Sequence, residues 1–231
     1  MRRLAFLLVT AALLVPTPGR AQDADTRPGI AVFPFTNGGS YGPGKEDLAP
    51  LQVGMQQMLL TELGQNSALR IVERSALKDL IEEQNLGTSG RVDPQTAAKI
   101  GKLVGARYVV TGVFVDLYGN FRLDGRVVDV ETGEVLKTQQ VQAKREQMYD
   151  LVVQLASKIT SGVKLPPLPT AQRQERSRRN IPPEAAVLYS KALVAEDRGQ
   201  KEAAIELYRM LDTKFPALTE AKERLTQLTK T

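Results

Sequence analysis

The chain has 231 residues, 31 lysines and arginines against 26 acidic residues, and no cysteine or histidine. Without cysteine there is no disulfide framework, thiolate zinc site or acylated N-terminal cysteine. Without histidine the chain lacks both the commonest metal ligand and the side chain best suited to proton transfer near neutral pH.

Residues 1–21 read as a secretory signal. Arg2 and Arg3 precede an apolar run from Leu4 to Val15, prolines 16 and 18 break it, and Ala21 precedes Gln22. The run is too short for a membrane anchor, which needs about 20 apolar residues. Removing it takes Arg2, Arg3 and Arg20 and lowers the formal charge from +5 to +2, so the basic precursor is no argument for nucleic acid. About 210 residues remain, enough for one substantial domain and a small one.

Residues 22–28 are polar and expected to be disordered. Gly29 to Phe35, GIAVFPF, has the apolar continuity of a buried strand, and NGGSYGPGKED after it reads as a glycine-rich loop, Asn37–Gly44 at its centre. Leu51, Met55, Met58, Leu59 and Leu63 recur at helical spacing, with Pro50 tolerated at the start. Leu69 to Glu73 is a short strand. Ser75 is placed to cap a helix carrying Leu77, Leu80, Ile81 and Leu86 and stopping at Gly87.

The stretch VDPQTAAKIGKLVGARYVVTG could suggest a phosphate loop. Its order is inverted: Asp93-Pro94 opens a helix, Gly105 closes it, and the strand follows from Ala106 to Leu117. A phosphate loop needs the strand first and glycines at the helix N-terminus. Gly101 is therefore read as close helix-to-sheet packing, and no nucleotide is expected. Turns at Tyr118–Asn120 and at Gly133 connect three strands into an antiparallel meander, with a bulge expected at Gly125. Met148, Leu151, Val152, Leu155 and Ile159 mark the next helix. Residues 165–181, rich in proline and then arginine, read as a solvated linker and not as a basic patch for lipid or nucleic acid.

Taken together, IAVFPF, the VERS-to-EEQ helix, DPQTAAKIGKLVGA, YVVTG and VVDVETGEVL resemble the CsgG family of curli production assembly and transport components, over about Gly29 to Lys164. The resemblance implies an α/β (α+β) fold, a mixed sheet with a C-terminal antiparallel meander packed by helices, in a family of outer-membrane secretion channels and related periplasmic proteins. The family's channel member is a lipoprotein with long membrane hairpins. Here there is no cysteine to acylate, and the connections at Tyr118–Asn120 and after Lys144 are too short for hairpins of about 9–11 residues per strand.

Residues 182–231 resemble a tetratricopeptide helical hairpin, with Ala192, Gly199, Ala204, Tyr208 and Pro216 at matching positions. One such hairpin leaves an apolar stripe, including Leu188, Leu207, Leu211 and Leu225, that must dock on its own domain, another chain or a partner.

No catalytic, cofactor-binding or metal set emerges. Asp124, Asp129, Glu131 and Glu134 are read as surface charges rather than a carboxylate pair for glycoside hydrolysis, and Ser75 with Lys78, or Ser89, sits on no strained nucleophile turn. The expectation is a non-enzymatic exported protein, soluble in the periplasm or peripherally associated with the outer membrane. It would act in assembly or transport through protein partners, or through self-association of the tail as a homo-oligomer, without nucleic acid. A curli-type pore subunit and a small exported carboxylate-based hydrolase are the alternatives.

Overall fold

The computed structural model describes residues 25–83, 92–163, 165–166 and 169–230. The expected signal, Ser89 and the helix stop at Gly87 lie outside them. The described residues form a mixed α/β structure. Strands β1 (Gly29–Val32), β2 (Thr36–Tyr41), β3 (Arg70–Ile71), β4 (Tyr108–Leu117), β5 (Asn120–Asp129) and β6 (Val135–Lys144) make one sheet. The order is β3-β1-β4-β5-β6, parallel from β3 to β4 and antiparallel beyond. The expected meander is β4–β5–β6.

β1 and β2 share one edge of β4 in succession. β1 pairs with Tyr108–Val110 and β2 with Val113–Leu117, both parallel. The first part of the stretch read as a glycine-rich loop, as far as Tyr41, thus forms a strand, and the rest remains a turn and a short 3-10 helix. Glycine is a poor strand former in general, but here it is needed: a Cβ on Gly38 would lie 2.6 Å from Val113 Cγ1 and 3.1 Å from Val115 Cγ2.

Helices α1 (Leu51–Gly64) and α4 (Met148–Gly162) cover one sheet face, and α2 (Arg74–Glu83) and α3 (Pro94–Leu103) cover part of the other. On the first, Val110, Phe114, Phe121, Leu123 and Val127 meet Met55, Leu59, Leu63, Leu151 and Ile159. On the second, Ala31, Phe33, Val109 and Val128 meet Leu77, Ile81, Ala97 and Ile100. The helix α3 forms as its sequence dictates. Asp93 accepts hydrogen bonds from the N–H groups of Gln95 and Thr96, Pro94 opens the helix, and Gly105 follows it at φ 64°. A Cβ on Gly101 would come within 2.5 Å of Val109 and 2.7 Å of Val130, so the glycine lets helix and sheet touch. Two local expectations are corrected. α2 begins at Arg74, which places Ser75 inside its first turn. Gly125 pairs regularly with Gly112 and lies under Leu155, whose Cδ1 would be 3.1 Å from a Cβ at that position, while the register shift falls between Val127 and Val128.

The C-terminal helices α6 (Pro183–Asp197), α7 (Lys201–Lys214) and α8 (Thr219–Lys230) pack on the sheet domain. The apolar core runs continuously from α1 and α4 into Ala185, Tyr189, Leu193, Tyr208 and Leu211. Small residues permit this: a side chain on Gly54 of α1 would collide with Ser190 of α6, whose Cβ would be 2.7 Å away. Gly199, at φ 70°, turns the chain between α6 and α7. Of the expected stripe, Leu211 is buried, and Leu188, Leu207 and Leu225 pack half-buried against the same core.

Candidate docking tip and its supporting clasp

The stretch 165–181 is not a solvated spacer. It contains helix α5 (Thr170–Arg178), and Arg176 and Arg179 enter a buried ionic cluster. Arg176 pairs with Glu62 of α1 and reaches Glu220 of α8 at 3.0 Å. Arg179 contacts both oxygens of Glu220, at 2.8 and 2.6 Å, and stacks over the Tyr149 ring at 5.4 Å. The Tyr149 hydroxyl donates to Glu62 at 2.6 Å and accepts from both arginines. Burial raises the Tyr149 phenol, and the neighbouring Glu62 charge raises it further. Burial also works against the Glu220 carboxylate, but its hydrogen bonds from Arg179 outweigh that and hold its pKa below the ordinary glutamate value. This clasp joins α1, α4, α5 and α8. Arg74 with Asp197, and Lys78 Nζ with the Asp197 carbonyl at 2.8 Å, make a second link between α2 and α6.

At one end of the sheet the chain does the opposite and displays apolar side chains. The turn between β4 and β5 is Tyr118–Gly119, with φ 52° and 83°. A tight hairpin of this kind wants positive φ at both positions, normally from Asn or Gly. Tyrosine there is strained, by about 1–2 kcal/mol.

The surroundings impose the strain. Asp116 is 0% exposed; one carboxylate oxygen accepts the Gly119 N–H at 2.8 Å and the other pairs with Arg145. The Arg145 N–H donates to the Gly119 carbonyl at 2.8 Å, and its guanidinium to the Pro43 carbonyl at 3.1 Å. Tyr118 N–H donates to the Tyr41 carbonyl at 3.1 Å. Hydrogen bonding to Asp116 raises the pKa of Arg145. The outcome is a rigid tip on which Tyr118 is 75%, Tyr41 55% and Leu117 49% exposed.

The four acidic residues weighed in the sequence do not converge. Asp124 pairs with Arg122 at 2.9 Å. Asp129, expected at the surface, is buried: it bonds Arg107 at 2.8 Å and accepts the N–H groups of Glu131 and Thr132, organising the Gly133 turn. Five positions apart on β5, the two aspartates lie on opposite faces of the pleat. Glu131 pairs with Arg107 at 2.9 Å, and Glu134 is exposed. Among the described residues no acidic cluster is arranged to hold a metal ion, and no helix is long and apolar enough to cross a membrane.

The tip escaped the sequence reading because its signal is a misfit, a tyrosine in a glycine position. Asp116 alternating into an apolar strand was the visible hint.

No curated protein matches the sequence. Among solved structures, the chain is similar to TolB from Acinetobacter baumannii at 17% identity and TM-score 0.40, covering 60% of this chain and 29% of that one. It is similar to the LpoB C-terminal domain from Escherichia coli at 19% identity and TM-score 0.38, covering 54% and 87% respectively. It is also similar to lipoprotein GNA1162 from Neisseria meningitidis at 16% identity and TM-score 0.37, covering 59% and 96%. By sequence, residues 18–125 match the family model of the curli production assembly/transport component CsgG, a little under half of the chain.

Proposed function

We propose that the protein is a non-enzymatic, exported component of envelope assembly or transport that works through protein contacts made by the β4–β5 tip. The observation that carries this reading is the strained tip itself. A buried ion pair and four backbone hydrogen bonds hold two tyrosines and a leucine in solvent, where folding gains nothing from them. Tyrosine is a typical interface anchor, since it offers large contact area at low entropy cost. The sheet domain is the platform for the tip. The C-terminal helices, clasped to α1 and α4, stiffen that platform and extend its surface.

A photo-crosslinking residue placed at Tyr118 in cells, with a control at exposed Glu202, tests the reading. Discrete envelope adducts from the tip alone, together with loss of the assembly phenotype in Tyr118→Ser at normal protein levels, are the expected result. Equal labelling from both sites, or full function of Tyr118→Ser, would refute it. Sedimentation of the mature chain distinguishes a second copy from a different partner.

A further inference from the structure

Among the described residues, one half-face of the sheet is left uncovered by helices. α2 and α3 cover the end bearing Val109 and Val128. Farther along the same side, cross-strand register lines up Thr111, Arg126 and Thr138 in one row and Val113, Asp124 and Gln140 in the next. These residues line a concavity of about 420 Å³, flanked by Thr36 and Gly38 of β2. A sheet face toward water is ordinarily polar, but here the charges are unbalanced. Arg122 is paired with Asp124, whereas Arg126 is exposed and its side chain makes no hydrogen bond or ion pair with any described residue. Lys144 adds a further cation at the end of the face, held by Asn120 at 2.9 Å.

We propose that this half-face binds an acidic polysaccharide, with uronic-acid carboxylates on Arg126 and Arg122 and sugar hydroxyls on Thr111, Thr138 and Gln140. Three arguments select that class of ligand. The excess of positive charge calls for an anion. The two arginines are four residues apart on one strand, about 13 Å, so an extended chain with recurring charges engages both while a small anion reaches one. Between the two arginines stand Asp124, engaged by Arg122 Nε, and Gln140, while Thr111 and Thr138 flank Arg126; the hydroxyls and the amide donate and accept as sugar hydroxyls require. A protein partner would want a desolvated aromatic or large aliphatic centre, and the apolar side chains lining this concavity are the small Val92, Val113 and Val115. A nucleic acid would want aromatic side chains for stacking, and the rows contain none.

Calorimetry of the mature full chain at about 0.15 M salt tests the proposal with four probes: oligogalacturonate, galacturonic acid, a neutral galactan oligomer and polyglutamate. The proposal expects saturable binding of oligogalacturonate, and about tenfold weaker binding by Arg126→Gln, the loss of one charge-assisted contact. Thr138→Val should weaken binding several-fold. Because Arg126 is exposed and unpaired, its substitution leaves the fold intact, which circular dichroism verifies. Absence of saturable binding, equal binding of the neutral oligomer or of the monomer, polyglutamate binding as tightly, or an unaffected Arg126→Gln would each overturn it.

Discussion

The tip and the clasp use the same chemistry for opposite ends. Each is built on a carboxylate taken out of water and answered by an arginine. At the tip, Asp116 and Arg145 are 29 residues apart, and their pairing forces tyrosine into a conformation it disfavours so that it points outward. In the clasp, Glu62 and Arg176 are 114 residues apart, and their pairing draws helices together so that apolar surface turns inward. A buried ion pair is weak evidence for stability, since desolvation offsets much of the attraction. What it supplies in both places is geometry, because a charge left without its partner is strongly unfavourable.

The largest expected effect comes from breaking the clasp on one side. Arg176→Met leaves Glu62 buried and uncompensated, and should lower stability by about 3–5 kcal/mol, read as a drop in the urea midpoint. Limited proteolysis should show faster cleavage near residues 165–181. If the clasp were ornamental, neither would move.

Asp116→Ala should cost less, about 2–3 kcal/mol, because Arg145 reaches solvent at its edge. Its distinguishing sign is local: hydrogen exchange should quicken at Gly119 and Arg145 while α6 and α8 stay protected.

Acid should loosen the clasp. The folded pKa of Glu220 lies below its unfolded value, so its contribution is complete above the ordinary glutamate range, near 4.5, and is lost as pH falls through the depressed folded value. The effect should be smaller than either substitution, since protonation weakens the Glu220 contacts without removing a side chain. Near-ultraviolet dichroism of Tyr149 and Tyr189 against pH reads it; a signal that stays flat until the whole fold is lost would contradict the assignment.

The smallest effect has the opposite sign. Tyr118→Asn suits a left-handed turn position and should raise stability by about 1 kcal/mol while weakening partner adducts. A variant more stable and less functional would identify the strain as a functional expense. Unchanged or lower stability would mean Tyr118 is at ease where it is.

How much of this was legible in sequence depends on the reach of the interactions. Helix α3 was readable from Asp93, Pro94 and Gly105 because its start and stop are local. The meander was readable because its turns are short. β2 was not, because its strand character comes from lying against Val113 and Val115, not from its own glycines. The arginines of 165–181 looked solvated because their acids are contributed by helices far away in the chain. Asp129 looked exposed for the same reason, with Arg107 waiting on the neighbouring strand. The tip required knowing that Tyr118 has positive φ, which composition argues against.

The distance between Glu62 and its arginine also has a meaning in time. Synthesis runs from the N-terminus, so α1 exists well before α5 and α8 do. Until then its carboxylate and the glycine groove that later receives Ser190 of α6 have no occupant. Contacts of such high sequence separation slow folding, and the early intermediate exposes an apolar helix face of the sort chaperones hold. Helix α1 is finished by α5 and α6, made more than a hundred residues later.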